Sequence, residues 1–245
     1  MDGFTISLAD IPIGIRPFCQ GMQPFFSDYL SDREPCFFVA PKEEDLKYEK
    51  SMYEKRNEEE DGYIPKTEQS LERSAILRMI ANRMPEYNTI LFHGSAVAVD
   101  GKAYLFAARS GTGKTTHTRL WLQLLPQAYV LNGDKPFLKV DGSGRILACG
   151  TPWRGKEKYG CNEILPLEAI CLLERAEENK IWSISPNEAN QALMHQVHFP
   201  EGAAMLQTIL LLNQISSQVR LFRLGCNMEP EAAQVSFRAM ASDRV

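Results

Sequence analysis

The segment Ala108-Arg-Ser-Gly-Thr-Gly-Lys-Thr115 fits the Walker A pattern, with alanine in its first position. An apolar run, LFAA (105–108), precedes it, and TRLWLQLL (118–125) follows it with one apolar face. A strand before such a loop and a helix after it are the context in which this pattern forms a phosphate loop. The segment therefore predicts a strand, a phosphate-binding loop and a helix, rather than an ordinary glycine turn.

The residue types of this loop suit the binding of phosphate. Gly111 and Gly113 permit the tight turns that point backbone N–H groups at phosphate oxygens, and the helix that begins near Gly113 adds its positive end. Lys114 is placed to reach the β- and γ-phosphates, and Thr115 to offer a hydroxyl to Mg²⁺. The predicted cofactors are ATP and Mg²⁺, and the predicted nucleotide-binding residues are Arg109, Ser110, Gly111, Thr112, Gly113, Lys114, Thr115 and Thr116.

A metal-associated acid is expected downstream of such a loop, at the end of a strand. The run YVLNGD (129–134) ends in Asp134 after apolar residues. Asp134 is therefore predicted to hold Mg²⁺ together with Thr115, directly or through water. The sequence leaves one alternative open, because Asn-Gly-Asp is also good turn chemistry and the acid then belongs only to a turn.

Length and composition indicate an ordinary globular protein. The chain has 245 residues, 44% apolar and 24% charged, which predicts one domain or one domain with a smaller partner. These values exclude collagen-like, coiled-coil and wholly disordered chains. The net charge of −4 and the lack of a polybasic stretch give no support to nucleic acid or an anionic membrane as partner.

Cysteine spacing and the start of the chain bear on the cellular compartment. None of the six cysteines stands at CxxC spacing, so neither a zinc ribbon nor a thioredoxin-type site is indicated. The start, MDGFTISLADIPIG, lacks the basic and apolar regions of a secretory signal. The apolar stretch 203–215 is too short to span a bilayer. We therefore expect a reduced, cytoplasmic protein.

The hydrophobic pattern divides the chain into a β/α region over 1–85 and a main domain over 86–245. In the first region we expect one or two strands over 4–16 with a break near the proline, a strand over 36–40, and a helix over 70–84 that Ser70 caps. The segment 42–61, with nine acids and five bases, indicates a solvated helix or a mobile loop. In the main domain, TILFHGSAVAV (89–99) is predicted to be a single strand.

The run HGSAVAVDGKAYLFAARSGTGKTTHTRLW (93–121) resembles the C-terminal catalytic domain of HPr kinase/phosphorylase. Its phosphate loop also resembles that of ATP-dependent phosphoenolpyruvate carboxykinase, and its layout resembles small HPr-kinase-like proteins of bacterial peptide-modification clusters, including lasso-peptide kinases. The resemblance extends from about residue 89 to 175. It implies an α/β fold with a P-loop core of mixed sheet and flanking helices, joined to the smaller N-terminal β/α region.

The resemblance also implies catalytic residues. His93 falls where HPr kinases have an active-site histidine, Lys114 is the loop lysine, and Asp134 matches the second of two tandem aspartates. The first aspartate, the catalytic base of that family, is replaced by Gly133. Arg154 matches the family's signature arginine, but Pro152 and Trp153 stand where an acid usually precedes it.

At this point the sequence does not decide whether His93 or Asp134 is the catalytic base. Arg154 and Lys156 are candidates to neutralise charge on the transferring group. Glu157 and Glu163 are candidates for a second metal ligand, although a solvated loop is the plainer interpretation of Lys156 and Glu157.

The function implied is Mg²⁺-dependent transfer of the γ-phosphoryl group of ATP to a hydroxyl, by resemblance a serine of a small protein or peptide. Two alternatives remain open: a small-molecule kinase, and a nucleotide-binding regulatory module with little turnover. Because HPr kinases form rings, the resemblance also raises the expectation of a homo-oligomer.

Overall fold

The computed structural model describes residues 3–57, 65–109 and 111–242. The chain divides into two compact units, Met1–Arg83 and Met84–Val245. The second unit contains a mixed sheet of nine strands flanked by helices, and the first contains a small sheet of its own. The predicted α/β fold class is therefore confirmed.

The first unit is built on a three-stranded sheet in the order β1-β2-β3. Strands β1 (Phe4–Leu8) and β2 (Ile11–Ile15) are antiparallel, and β3 (Phe37–Val39) runs parallel to β2. The break between β1 and β2 is at Ala9 and Asp10, both with positive φ and shortly before Pro12, so the expectation of one or two strands with a break near the proline is confirmed. Two residues with positive φ form the hairpin turn that matches strand twist, and Pro12 lies inside β2.

The described part of this unit also contains a 3₁₀ helix (Gln23–Tyr29) and two α-helices. Helix α1 (Glu43–Asn57) lies in the acidic segment, whose residues 58–61 are outside the described ones, and α2 (Glu68–Arg83) follows. The guanidinium of Arg78 on α2 binds Asp45 at 2.9 Å and Glu49 at 2.7 Å, which joins the two helices. The Ser70 N–H donates to the hydroxyl of Thr67. Thr67 is therefore the capping residue, and the prediction that Ser70 has this role is wrong, because α2 starts before Ser70.

The second unit contains runs of consecutive strands separated by helices, with 3₁₀ turns at Met84–Tyr87 and Met194–Gln196. Its helices are α3 (Lys114–Leu124), α4 (Pro186–Leu193), α5 (Ala203–Gln218) and α6 (Pro230–Ala241). Its strands are β4 (Thr89–Leu91), β5 (Ser95–Val99), β6 (Lys102–Ala107), β7 (Tyr129–Asn132), β8 (Phe137–Val140), β9 (Ile146–Cys149), β10 (Ile164–Arg175), β11 (Lys180–Ser183) and β12 (Arg220–Cys226).

The sheet is mixed around the long strand β10. Strands run in the order β4-β8-β9-β10-β6-β5-β7, and β12 pairs with both β10 and β11. Strand β10 is parallel to β6 and β12 but antiparallel to β9. Strand β6 leads directly into the loop that is predicted to bind phosphate, which we call the phosphate loop. The parallel strand β10 therefore ends beside that loop.

Both faces of the central strands are buried, which explains why these strands are almost continuously apolar. Alternate residues point to opposite faces of a strand: in β5, Ala96 and Ala98 belong to one core, whereas Val97 and Val99 belong to the other. The first core includes residues of α4 and α5, and the second includes residues of α3 and α6. Fully buried Trp121 donates to Ser236 at 2.8 Å and so joins α3 to α6.

The run 89–99 forms two strands, so the prediction of a single strand is wrong. Strand β4 pairs with β8, whereas β5 pairs with β6 and β7. In the gap, the Phe92 N–H donates to Pro136, the His93 N–H to Gln196 and the Gly94 N–H to Asp134. These bonds to distant loops replace strand pairing, and they place His93 at the edge of a cleft.

No helix within the described parts of the chain combines the length and the apolar character that crossing a membrane requires.

Candidate functional site

The phosphate loop joins β6 to α3 through a glycine-dependent turn. Gly111 has φ +76° and Gly113 has φ +122°, values that disfavour a side chain. The Thr112 N–H donates to the Arg109 carbonyl at 3.2 Å, which closes a turn before the helix. A Cβ at either glycine would meet nothing within 4 Å, so conformation, not crowding, requires glycine here. Ser110, also predicted to bind nucleotide, lies outside the described residues.

Lys114 begins α3 and is half-buried. Its Nζ donates to the carbonyl of Ala108 at 3.0 Å, so the ammonium lies along the loop. Burial lowers the pKa of Lys114, and the nearby carboxylate of Asp134 counteracts this shift in part. A partly desolvated ammonium in an open loop is an electrostatic site for an anion, since its own protein environment does not fully replace its hydration.

Arg175, at the end of β10, was not identified from the sequence. Its Nη2 donates to the carbonyl of Gly111 at 2.7 Å. The contact follows from the sheet, because Leu172 of β10 pairs with Ala107, the last residue of β6, and Arg175 lies three residues further. Arg175 therefore fixes one peptide of the phosphate loop to the sheet.

Asp134 and His93 form a pair, with His93 Nε2 and Asp134 Oδ1 3.2 Å apart. Burial alone would raise the pKa of Asp134. The hydrogen bond from His93 and the positive charges of Lys135, His93 and Lys114 outweigh it and hold the pKa below its usual value. Asp134 is therefore a carboxylate at neutral pH, beside an imidazole and near the ammonium of the phosphate loop.

The fully buried side chain of Asn132 sets the direction of the chain at Asp134. Its Oδ1 accepts the N–H groups of Asp134 at 2.9 Å and of Lys135 at 2.7 Å. Its Nδ2 donates to the carbonyl and the hydroxyl of Thr151, both at 3.0 Å. The Asn-Gly-Asp segment is thus a turn, and this turn also orients the carboxylate of Asp134. The interpretation of Asp134 as a turn residue is therefore compatible with its interpretation as a metal-associated acid.

The segment 153–160 packs against Gly133, where the resembling family has a carboxylate. A Cβ at Gly133 would lie 2.8 Å from the carbonyl oxygen of Arg154 and 3.4 Å from that of Tyr159. The Gly133 N–H donates to the Tyr159 carbonyl at 3.1 Å, and Gly160 forms a bridge with Asn132. Backbone atoms of the segment 153–160 therefore occupy the space that a side chain at position 133 would fill.

Replacing Gly133 with alanine tests this close approach. Gly133 has no positive φ, so its backbone tolerates a side chain and the segment alone obstructs it. We expect the free energy of unfolding to fall by about 1–3 kcal/mol, as for overpacking. Urea denaturation checks this, with Gly142→Ala as the control because a Cβ there would meet nothing within 4 Å. Equal stability of both variants would contradict the close approach.

A cleft of about 530 Å³ brings the candidate residues together. The predicted residues Gly111, Gly113, Lys114 and Thr115 line it from the loop, and His93, Asp134 and Arg154 line it from other elements. Arg109, Thr112 and Thr116 belong to the same loop and helix but not to this lining. Further lining residues are Ser95, Thr118, Arg119, Val130, Gly133, Gly155, Lys156, Glu157 and Tyr159.

The two acids considered as second metal ligands have other partners. Glu157 binds Arg119 at 2.9 Å, and Glu163 accepts the Tyr129 hydroxyl at 2.6 Å. That hydrogen bond raises the pKa of Tyr129 to about 12. Glu157 stays at the cleft, whereas Glu163 is not among its lining residues. Of the two, only Glu157 lines the cleft, and its carboxylate is already paired with Arg119.

A hydrogen-bonded pair of hydroxyl groups and a buried histidine also lie beside the phosphate loop. Ser95 and Thr118 share a buried hydrogen bond of 2.8 Å at the cleft wall, which joins β5 to α3. His117 is 2% exposed and contacts Ser236 Oγ through Nε2 at 3.0 Å. Burial lowers its pKa to about 4. His117 is therefore a neutral packing residue, as its position on the helix face predicts.

The residues at the cleft fit Mg²⁺ bound with a nucleotide. Among the described residues, no three His, Cys, Asp or Glu side chains form a metal cluster. Mg²⁺ is commonly held by one or two carboxylates together with substrate phosphates and waters. The carboxylate of Asp134 and the exposed hydroxyl of Thr115 line one cleft and supply such a partial set of ligands.

Comparisons with known proteins concern the family and the fold. The model of the family described as "ScmC: SynChlorMet cassette protein ScmC" matches residues 61–230. No curated protein matches the sequence. Among solved structures, the chain is similar to the Hpr(Ser) kinase/phosphatase from Coxiella burnetii, with 7% identity and a TM-score of 0.37. That similarity covers 61% of this chain and 95% of the other.

Proposed function

The chain belongs to the family described as SynChlorMet cassette protein ScmC, and we propose that it is an ATP-dependent kinase that phosphorylates a hydroxyl group. The observation that carries the proposal is one cleft in which the phosphate loop meets a carboxylate–imidazole pair. Lys114 and the loop glycines line it together with Asp134 and His93. We assign catalysis to residues 86–245 and treat residues 1–85 as a separate region.

The phosphate loop is proposed to bind the triphosphate of ATP. Its backbone N–H groups and the Lys114 ammonium hold the β- and γ-phosphates, and the N-terminus of α3 adds its partial positive charge. Thr115 and Asp134 hold Mg²⁺, which when bound neutralises charge on the phosphates. Arg175 keeps the loop in shape through the carbonyl of Gly111.

Asp134 and His93 are proposed to orient the acceptor hydroxyl and take its proton. The acceptor oxygen forms a bond to the γ-phosphorus, and the bond from phosphorus to the β,γ-bridging oxygen breaks. The hydroxyl proton passes to the carboxylate of Asp134 or to Nδ1 of His93, because His93 Nε2 already carries the proton that it donates to Asp134. Arg154 stabilises the charge on the transferring group. Phosphoryl transfer depends mainly on positioning and charge, so a strong base at position 133 is not essential.

The acceptor proposed from the resemblance is a serine of a small protein or peptide. Small-molecule kinases use the same chemistry, so only the identity of the labelled product separates these two classes.

One observation favours a second candidate, a nucleotide-binding module with little turnover. Position 133, where the resembling kinases have their base, is filled by the backbone of Arg154 and Tyr159. A module of this kind would bind ATP tightly without transferring phosphate.

Incubation with Mg²⁺ and γ-labelled ATP, with and without extract of the source cells, tests the proposal. We expect label on a peptide or small protein, and its loss in the Lys114→Ala variant. Label on a metabolite would move the proposal to small-molecule kinases. ATP binding without any labelled acceptor would contradict the kinase and favour the binding module.

His93→Ala is expected to slow phosphoryl transfer about 10- to 100-fold, because His93 holds the carboxylate of Asp134 at 3.2 Å. ATP affinity should stay near that of the wild type, since the phosphate loop is unchanged. Label transfer and calorimetry measure the two effects. His195→Ala, in an exposed 3₁₀ turn, is the matched control. Unchanged transfer by His93→Ala would leave His93 as a packing residue.

A further inference from the structure

The segment 154–158 carries an excess of positive charge at the mouth of the cleft. It contains Arg154, Lys156 and Lys158 but a single acid, Glu157. Glu157 binds Arg119 of α3, with Nη2 and Oε1 2.9 Å apart, so its charge is already matched. Lys156 and Lys158 therefore leave this part of the segment positive, in a protein whose net charge is −4.

This segment lies directly beside the proposed reaction centre. A Cβ at Gly155 would be 3.0 Å from the Cβ of Asp134, so Gly155 packs closely against Asp134 and Lys156 is the next residue. Lys156 and Glu157 both line the cleft. The ammonium group of Lys156 is thus placed to contact a substrate that reaches Asp134.

Lys156 and Lys158 have no acidic partner among the residues that the structure describes. No carboxylate of the residues that the structure describes lies within ion-pair distance of either ammonium group, and both side chains are exposed. Their charges therefore remain accessible to a ligand, and opposite charge on that ligand would lower the free energy of binding and speed encounter.

The positions of the two lysines favour an extended acceptor. Lys156 lines the cleft, whereas Lys158 lies beyond its lining residues and has a left-handed backbone, φ 57°. A metabolite confined to the cleft meets only the first lysine. A peptide that places its hydroxyl at Asp134 and continues over the rim meets both.

We propose that the acceptor is an acidic peptide segment, a serine flanked by aspartate or glutamate residues that Lys156 and Lys158 recognise. The inference rests on the proposed kinase function and names its substrate class. The phosphates of ATP are assigned to the loop of Lys114, and charge on the transferring group is assigned to Arg154. Lys156, a second candidate for that charge from the sequence alone, is therefore assigned with Lys158 to the acceptor and not to the nucleotide.

Two pools of serine peptides test this inference, one with aspartate and glutamate around the serine and one with lysine and arginine at the same positions. With γ-labelled ATP, we expect the wild type to phosphorylate the acidic pool about 10-fold faster, and the preference to shrink as salt rises. The double variant Lys156→Glu, Lys158→Glu should lose or reverse the preference with a KM for ATP near that of the wild type.

Lys180→Glu is the matched control, because this exposed lysine on β11 does not line the cleft. It should keep the preference of the wild type. Equal labelling of both pools by the wild type, or an acidic preference that survives the double reversal, would overturn the inference and leave the kinase in place. A raised KM for ATP in the double variant would assign the lysines to the nucleotide and also overturn it. Label on neither pool, nor on any component of the cell extract, would overturn the proposed function and this inference together.

Discussion

Lys114→Ala is expected to weaken the binding of ATP by about 30- to 4,000-fold, since truncating one partner of a desolvated charge pair costs roughly 2–5 kcal/mol. Lys114 is the cation that lies along the phosphate loop, with Nζ 3.0 Å from the Ala108 carbonyl. Calorimetry with ATP and Mg²⁺ measures the loss. The exposed Lys180 provides the control, and Lys180→Ala should bind as the wild type does.

The same substitution should not destabilise the fold. Burial lowers the pKa of Lys114, so the protonated form is less favourable in the folded chain than in the unfolded one. This cost is present at neutral pH and fades as the pH rises through the folded-state pKa. Alanine removes it, so we expect an equal or higher free energy of unfolding in urea. Unchanged ATP affinity in a folded Lys114→Ala variant would overturn the phosphate-loop interpretation.

Asp134→Asn is expected to slow phosphoryl transfer by about 10²–10⁴-fold, the usual contribution of a general base. The substitution keeps the size of the side chain but removes the charge that His93, Lys135 and Lys114 stabilise. Binding of ATP without Mg²⁺ should remain near that of the wild type, because the loop lysine is untouched. Single-turnover label transfer separates the chemical step from binding.

Asp100→Asn is the matched control for Asp134→Asn. Asp100 lies in the exposed β5–β6 hairpin at φ 50°, a conformation that asparagine adopts readily. This variant should transfer label at the rate of the wild type. If Asp134→Asn leaves slow turnover unchanged while ATP still binds, the chain is a nucleotide-binding module.

The sequence predicts secondary structure and site position well where a local hydrophobic pattern and a local motif indicate the same structure. The order of strand, loop and helix around Gly111 and Gly113 follows from a motif and two apolar runs, and the structure confirms it. The place of Asp134 just after a strand is also predicted, because the end of an apolar run marks the end of a strand. In each case the signal lies within a few neighbouring residues.

Features that depend on distant partners were missed. The gap at His93 interrupts an apolar run because its backbone bonds to Gln196, and no local pattern indicates such a partner. Ser95, Arg119 and Tyr159 reach the cleft from three separate elements and belong to no motif. The sequence also marks Gly133 as a departure from the resembling family, but only the structure explains it, through the carbonyl of Arg154 that fills its place.

The turn that positions Asp134 also affects the deamidation of this protein. In deamidation, the backbone nitrogen of the residue after an asparagine attacks the side-chain carbonyl. Asn-Gly is the dipeptide most prone to this in flexible chains, because glycine has no side chain to hinder the attack. Here that nitrogen is turned to the Tyr159 carbonyl, and the Asn132 oxygen is held by two N–H groups. The segment that covers Gly133 therefore also preserves Asn132. An unfolded or partly opened chain loses this protection, and an aspartate formed there would bury a second negative charge next to Asp134.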